Sequence, residues 1–271
     1  MSSAEQQAKA AAEQFREKHQ LGVQPLGDLV ALIEQTTGHD VAVLDAVPDA
    51  HGLTMRDPAR ERAFIGVART PHPMRQRSTL AHELAHVIFD DQIEDLAVRG
   101  SEETRADAFA RHLLIPLGGL GSFLDDGEHA NEGVLSAVVQ RYLVSPAMAA
   151  IALRDVGAIS QATVDAWRSL NTRHLATRFG WSDFYATLQE DSNRLRAPQA
   201  LVSRAVAGYA AGVLSAQAVA TLRGVPVDTV VAELAEIGII PQSVDAEDFE
   251  IDELPQIDLD LSDLEEGGAS S

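Results

Sequence analysis

The sequence predicts an α+β domain with a small antiparallel or mixed sheet, followed by an all-α region carrying helix-turn-helix-like repeats. Three observations carry that reading. The β-type runs are short and lie between residues 41 and 68. Two helical patterns follow them and end at Pro116. From about residue 131 to 242 the apolar spacing is helical throughout. The expected organisation is a domain over 1–130, a helical domain over 131–242 and an acidic, disordered tail over 243–271.

Met1 to Gln20 is polar and Ala-rich, with interspersed Glu, Gln and Lys. It reads as an amphipathic surface helix and lacks the apolar stretch of a secretory signal. Pro25–Thr37 places Leu26, Leu29, Val30 and Ile33 on one helical face, with Gly38 as its stop. Val41–Leu44, Leu53–Met55 and Ala63–Ala68 are strand-like, and Asp57-Pro58 is a turn signal that pairs the last two as a hairpin. Ala63–Ala68 reads either as one more strand of the sheet or as an edge strand that aligns an extended substrate. Ser78 or Thr79 is the expected N-cap of a helix running from Leu80 to about Phe89. The next helix opens at Ser101 with Glu102 and Glu103 in its first turn, where the helix dipole favours them.

In the helical region, Ala137–Ile159 can be laid over Ala218–Ile240 without gaps. Val144 falls on Val225, Leu153 on Leu234, Gly157 on Gly238 and Ile159 on Ile240. Each stretch has the outline of a helix, a tight turn and a second helix closed by Gly. The second helix of the first stretch carries Arg154, and Val227–Ile237 carries no basic residue. Base readout usually draws on Arg, Lys, Asn or Gln. Packing or protein recognition is therefore expected of these helices, and direct DNA binding is not.

Charge agrees. The formal net charge is −20, from 41 acidic and 21 basic residues. Eleven of the acidic residues lie between Asp245 and Glu266, so the body retains 30 acidic against 21 basic residues. A surface of that sign is a poor match for a phosphate backbone. The tail alternates acids with single apolar residues such as Phe249 and Leu259, too few to bury a core. No run approaches the roughly 18–20 apolar residues of a membrane span. With no cysteine in the chain, a transition metal must be held by His and carboxylate.

The chemistry concentrates in His82-Glu83-Leu84-Ala85-His86. Two His four residues apart share a helical face and can reach one metal ion. Glu83 projects beside that ion, where it can take a proton from a water the metal has acidified. A catalytic zinc ion usually has three protein ligands, so a third is required. The metzincin pattern needs Gly at position 89 and His at position 92, where this chain has Phe89 and Gln92. Glu103 on the following helix is the better candidate, with Asp107 one turn on to accept the second ring N–H of a ligand His. Glu102, Glu94 and Asp91 are the alternatives. His112 shares the helix of Glu103, and a core or solvated role is expected for it. His51 and His72 are expected to be loop polarity. Tyr142 is a conceivable oxyanion donor, with nothing in the sequence to bring it near the metal.

Arg75–Phe89 (RQRSTLAHELAHVIF), Glu102–Pro116 (EETRADAFARHLLIP) and the preceding HGLTMRD and AFIGVA segments together resemble the ImmA/IrrE-type metallopeptidases. The resemblance covers roughly Leu26 to Pro116. It implies a minimal gluzincin-like fold, one Zn2+ held by His82, His86 and Glu103, and Glu83 as the catalytic base. Asp107 stands where many relatives have Asn, and either can accept a hydrogen bond. The resemblance also implies a cytoplasmic bacterial or phage endopeptidase whose protein substrate is a helix-turn-helix repressor. The competing expectation is a non-catalytic zinc-containing transcriptional regulator acting through its helical repeats, for which Glu83 would be superfluous.

Overall fold

Apolar periodicity places the first helix, α1 (Ser3–Lys18), with Ala8, Ala12 and Phe15 on its buried stripe. The computed structural model describes residues 3–46, 52–57, 59, 62–91, 100–124 and 130–242. Helix α1 is more than the surface helix its composition suggests. Arg16 is buried on the same stripe and donates to the carbonyl of Gly22 at 2.7 Å and to those of Leu113 and Gln24. Helix α2 (Leu29–Thr37) begins later than Pro25, because the Asp28 carboxylate caps it by accepting from the Ala31 N–H at 3.1 Å. Gly38 closes it in the left-handed conformation, φ 71°.

Three strands follow: β1 (Asp40–Leu44), β2 (Leu53–Asp57) and β3 (Arg62–Ala68), in the order β1-β3-β2. The sheet is mixed. Strands β2 and β3 form the expected antiparallel pair, with Leu53 opposite Gly66 and Asp57 opposite Arg62. Strand β1 pairs with β3 in parallel, Val41 opposite Ile65. Strand β3 is therefore central, with Ala63, Ile65 and Val67 buried, and the edge-strand reading of Ala63–Ala68 is corrected. The open edge belongs to β2, whose Leu53 and Met55 are about half exposed.

Helix α3 (Pro73–Phe89) starts five residues before Ser78. Pro73 occupies its first turn, where a missing N–H costs nothing and the fixed φ suits a helix, so neither Ser78 nor Thr79 is the cap. Helix α4 (Ser101–Leu114) ends ahead of Pro116, as expected. Its C-terminal half is buried nearly all round, between α1 on one side and α3 on the other, with Phe109 and Leu113 fully enclosed, while Ser101, Glu102, Thr104 and Asp107 stay exposed.

The remainder is helical: α5 (Glu132–Tyr142), α6 (Pro146–Asp155), α7 (Gln161–Trp167), α8 (Thr172–Arg178), α9 (Ser182–Ser192), α10 (Gln199–Ala210), α11 (Ala216–Arg223) and α12 (Val227–Glu236). The α5–α6 and α11–α12 pairs turn at left-handed residues that align with one another, Leu143 (φ 55°) with Gly224 (φ 64°). Both pairs end at a left-handed Gly, Gly157 (φ 78°) and Gly238 (φ 75°). The hydrophobic core does not break near residue 130. One cluster runs from Ala8 to Tyr185, and a second, small cluster holds Ala205, Val219, Ala220, Val230 and Leu234. The acidic tail lies outside the described residues. Among those residues no single helix is long and apolar enough to cross a membrane, and the apolar pair α5–α6 is bent by 110°.

Candidate metal centre

Helix α3 presents His82 and His86 one turn apart, and α4 packs across it so that Glu103, in the first turn of α4, faces both. The His82 and His86 Nε2 atoms are 3.0 Å apart. Glu103 Oε2 lies 3.3 Å from His82 Nε2, and Oε1 lies 3.4 Å from His86 Nε2. Donors about 2.0–2.1 Å from a tetrahedral ion stand about 3.3–3.4 Å from one another. The three groups thus stand close to that spacing, Glu103 turning a different oxygen to each His, and their chemistry suits a metal ion.

The other ring nitrogens are committed elsewhere. His82 Nδ1 bonds the Asp107 carboxylate at 2.9 Å, and His86 Nδ1 bonds Asp91 Oδ2 at 3.0 Å. Each contact fixes a tautomer and turns the opposite nitrogen, Nε2, toward the shared point. Burial disfavours the charged form of His82, but the hydrogen bond and charge of Asp107, with Glu103 and Glu83 nearby, outweigh it and raise the His82 pKa. Asp91 also accepts from Arg105, whose guanidinium sits 4.2 Å over the Phe89 ring. The centre is open on one side, since Glu103 keeps 32% of its side-chain exposure while His86 keeps 2%.

Residues 36–154 match the sequence profile described as the IrrE N-terminal-like domain. This stretch belongs to the ImmA/IrrE family. The family is of metallopeptidase type, and the matched segment spans the sheet, both site helices, α5 and nearly all of α6. No curated protein matches the chain.

Within this IrrE-type domain, Glu83 is buried at 5% exposure beside the His pair, and Asp107 stands at the ring nitrogen of His82. Of the alternative ligands, Asp91 approaches the nitrogen of His86 that faces away from the shared point, Glu102 is exposed and bonds Ser101, and Glu94 lies outside the described residues. His112 points to the opposite face of α4, where its Nε2 contacts Glu5 at 2.7 Å. His72 is exposed ahead of α3, and His51 lies outside the described residues. Tyr142 donates to the Val23 carbonyl at 3.4 Å and packs against Phe123, so its hydroxyl is engaged away from α3. Sequence reasoning missed Thr54, which reaches Glu83, and the orienting role of Asp91. The position of Asp91 just past the end of α3, five residues from His86, was the available signal for the second.

Proposed function

We propose that the chain is a zinc-dependent endopeptidase of the cytoplasm that cuts an internal peptide bond of a helix-turn-helix transcriptional repressor and so releases its genes. The observation that carries this reading is the convergence of His82, His86 and Glu103, with Glu83 beside the two His on helix α3. Three protein donors leave the fourth tetrahedral position for water or substrate, as catalytic rather than structural zinc requires. A bound zinc ion would polarise the scissile carbonyl and bring the pKa of a water near neutrality.

The chain's own groups do the rest. Glu83 accepts the proton of the attacking water and delivers it to the leaving nitrogen. Asp107 and Asp91 keep His82 and His86 in the tautomers that present Nε2. The open edge of β2, next to Glu83, offers backbone groups to which an extended segment of substrate can pair. Recognition of a protein rather than DNA by the helical region is supported by Arg154, the one basic residue on α6, which is bonded to Asp155 and Gln161. Glu83 itself weighs against a purely structural metal, which has no use for a base.

The test is co-expression with a helix-turn-helix repressor taken from a neighbouring gene, comparing the wild type with Glu83→Gln. Intact repressor is expected to disappear with the wild type and persist with the variant. Its loss in both strains, or in neither, refutes the reading.

A further inference from the structure

A glutamate has three side-chain torsions, and a general base works only when its carboxylate is held at the reacting water. Glu83 is buried, so its orientation is set by what encloses it. Among the described residues its carboxylate has one hydrogen-bond partner, the Thr54 hydroxyl, which donates to Oε2 at 2.6 Å. That length is typical of an O–H donor on an ionised carboxylate. On the other side stands Gly52. A Cβ built there would lie 2.3 Å from Glu83 Cγ, 2.4 Å from Oε1 and 2.5 Å from Cδ, so no larger residue fits while Glu83 keeps its place.

The strand that carries Thr54 and follows directly on Gly52 is fastened to α3 independently. Arg56, two positions on and hence on the same face of β2 as Thr54, donates to the carbonyls of His86 at 3.2 Å and Val87 at 2.7 Å. It also pairs with Asp90 at 2.6 Å. Leu53 and Met55, on the alternate positions, are about half exposed. The backbone under Thr54 is thus clipped to the helix that carries both the base and the metal donors.

We infer that the start of β2 sets the rotamer of the general base: Thr54 is a positioning residue that holds Oε2 of Glu83, and Gly52 is the close backbone approach that leaves room for the carboxylate. The assignment of Glu83 as base rests on the peptidase reading above, whereas the positioning rests on geometry. With Oε2 held, Oε1 is the oxygen left to take the proton of the attacking water. Val at position 54 would keep the shape of Thr and lose the donor. Ser would keep the donor.

The experiment compares zinc-loaded wild type, Thr54→Val, Thr54→Ser and Gly52→Ala by crystallography, by zinc content and by turnover of a quenched fluorescent peptide library. Equal zinc content is expected in all four. The Glu83 carboxylate should take the wild-type orientation with Thr or Ser at position 54, and leave it in Thr54→Val and in Gly52→Ala. Turnover by Thr54→Val should fall about 10–100-fold in kcat with KM unchanged, part of the 10²–10⁴-fold that general-base catalysis supplies, and Thr54→Ser should recover it. A wild-type Glu83 orientation in Thr54→Val overturns the inference, as does unchanged kcat. Loss of zinc in that variant also overturns it, because Thr54 would then support the metal rather than the base. If Thr54→Val does not fold, the orientations in Thr54→Ser and Gly52→Ala decide. If the wild type cuts no peptide, the peptidase reading fails while the crystallographic comparison still judges Thr54.

Discussion

Asp91→Ala removes one carboxylate and leaves two cations or donors without their partner. The Asp91 side chain is 6% exposed, with Oδ2 3.0 Å from His86 Nδ1 and Oδ1 on the Arg105 guanidinium. Arg105 already has a buried Nε with no hydrogen-bond partner among the described residues, and its other support is the face of Phe89. Breaking a buried ion pair from one side costs about 3–5 kcal/mol. The Arg105 side chain keeps 23% of its exposure and can partly rehydrate, so about 2–3 kcal/mol is expected for the metal-free protein. A separate loss falls on the metal. An imidazole without its orienting carboxylate typically costs about 10–100-fold in affinity, or about 1.4–2.8 kcal/mol. Urea unfolding of metal-free protein measures the first effect, and zinc titration against a competing chelator measures the second. Adding Arg105→Met to both backgrounds isolates the coupling, expected at about 1–3 kcal/mol. An unfolding midpoint and a zinc affinity both equal to wild type in Asp91→Ala would refute the orienting role.

Other consequences can be checked alongside. Glu103→Ala removes a donor rather than a donor's support, so zinc binding should weaken by more than about 100-fold with the fold intact, seen as loss of stoichiometric zinc after gel filtration. Arg16→Met leaves the carbonyls of Gly22, Gln24 and Leu113 without their shared donor and should cost about 2–4 kcal/mol, read as a lower urea midpoint. Burial holds the His112 pKa below its ordinary value, against the raising effect of the Glu5 hydrogen bond. The folded state therefore prefers the neutral ring, and its contribution is complete above about pH 6.5 and lost as pH falls through the lowered folded value. In metal-free protein the stability advantage of wild type over His112→Gln should shrink between pH 8 and pH 5. A constant difference contradicts the assignment. The raised pKa of His82 acts in the opposite sense, and it cancels in that comparison.

What the sequence made legible was local. The His pair, Glu83 between them and the helix of Glu103 and Asp107 all follow from spacing along a helix, because residues three and four apart share a face whatever surrounds them. The hairpin was legible from its turn signal. Contacts between distant segments were not. Thr54 reaches Glu83 across 29 residues, and nothing in either stretch announces the other. The parallel pairing of β1 with β3 puts Ala63–Ala68 in the centre of the sheet, a placement that alternation along one strand cannot distinguish from an edge. Helix α1 looked like a surface helix because Ala8 and Ala12 are small and Arg16 is charged, yet that charge is buried on three carbonyls. The start of α3 is marked in the sequence by Pro73, but Ser78 and Thr79, nearer the motif, carry the same type of signal and lie inside the helix.

The family segment stops at residue 154, but the packing that supports it continues. Gln76, on α3 ahead of the metal donors, donates to the Ser192 carbonyl at 2.8 Å and to that of Ala68 at 2.9 Å. Val43 exchanges backbone hydrogen bonds of 2.8 and 3.0 Å with Arg196, covering the outer side of β1. Leu175, Ala176, Trp181 and Tyr185 belong to the same core as Ile65 and Leu84. A chain cut after Asp155 would retain every residue of the metal centre and lose the far fastening of the helix that aligns it. The stretch recognisable by kinship and the stretch that braces the site helix have different edges in this chain, and the second reaches Arg196.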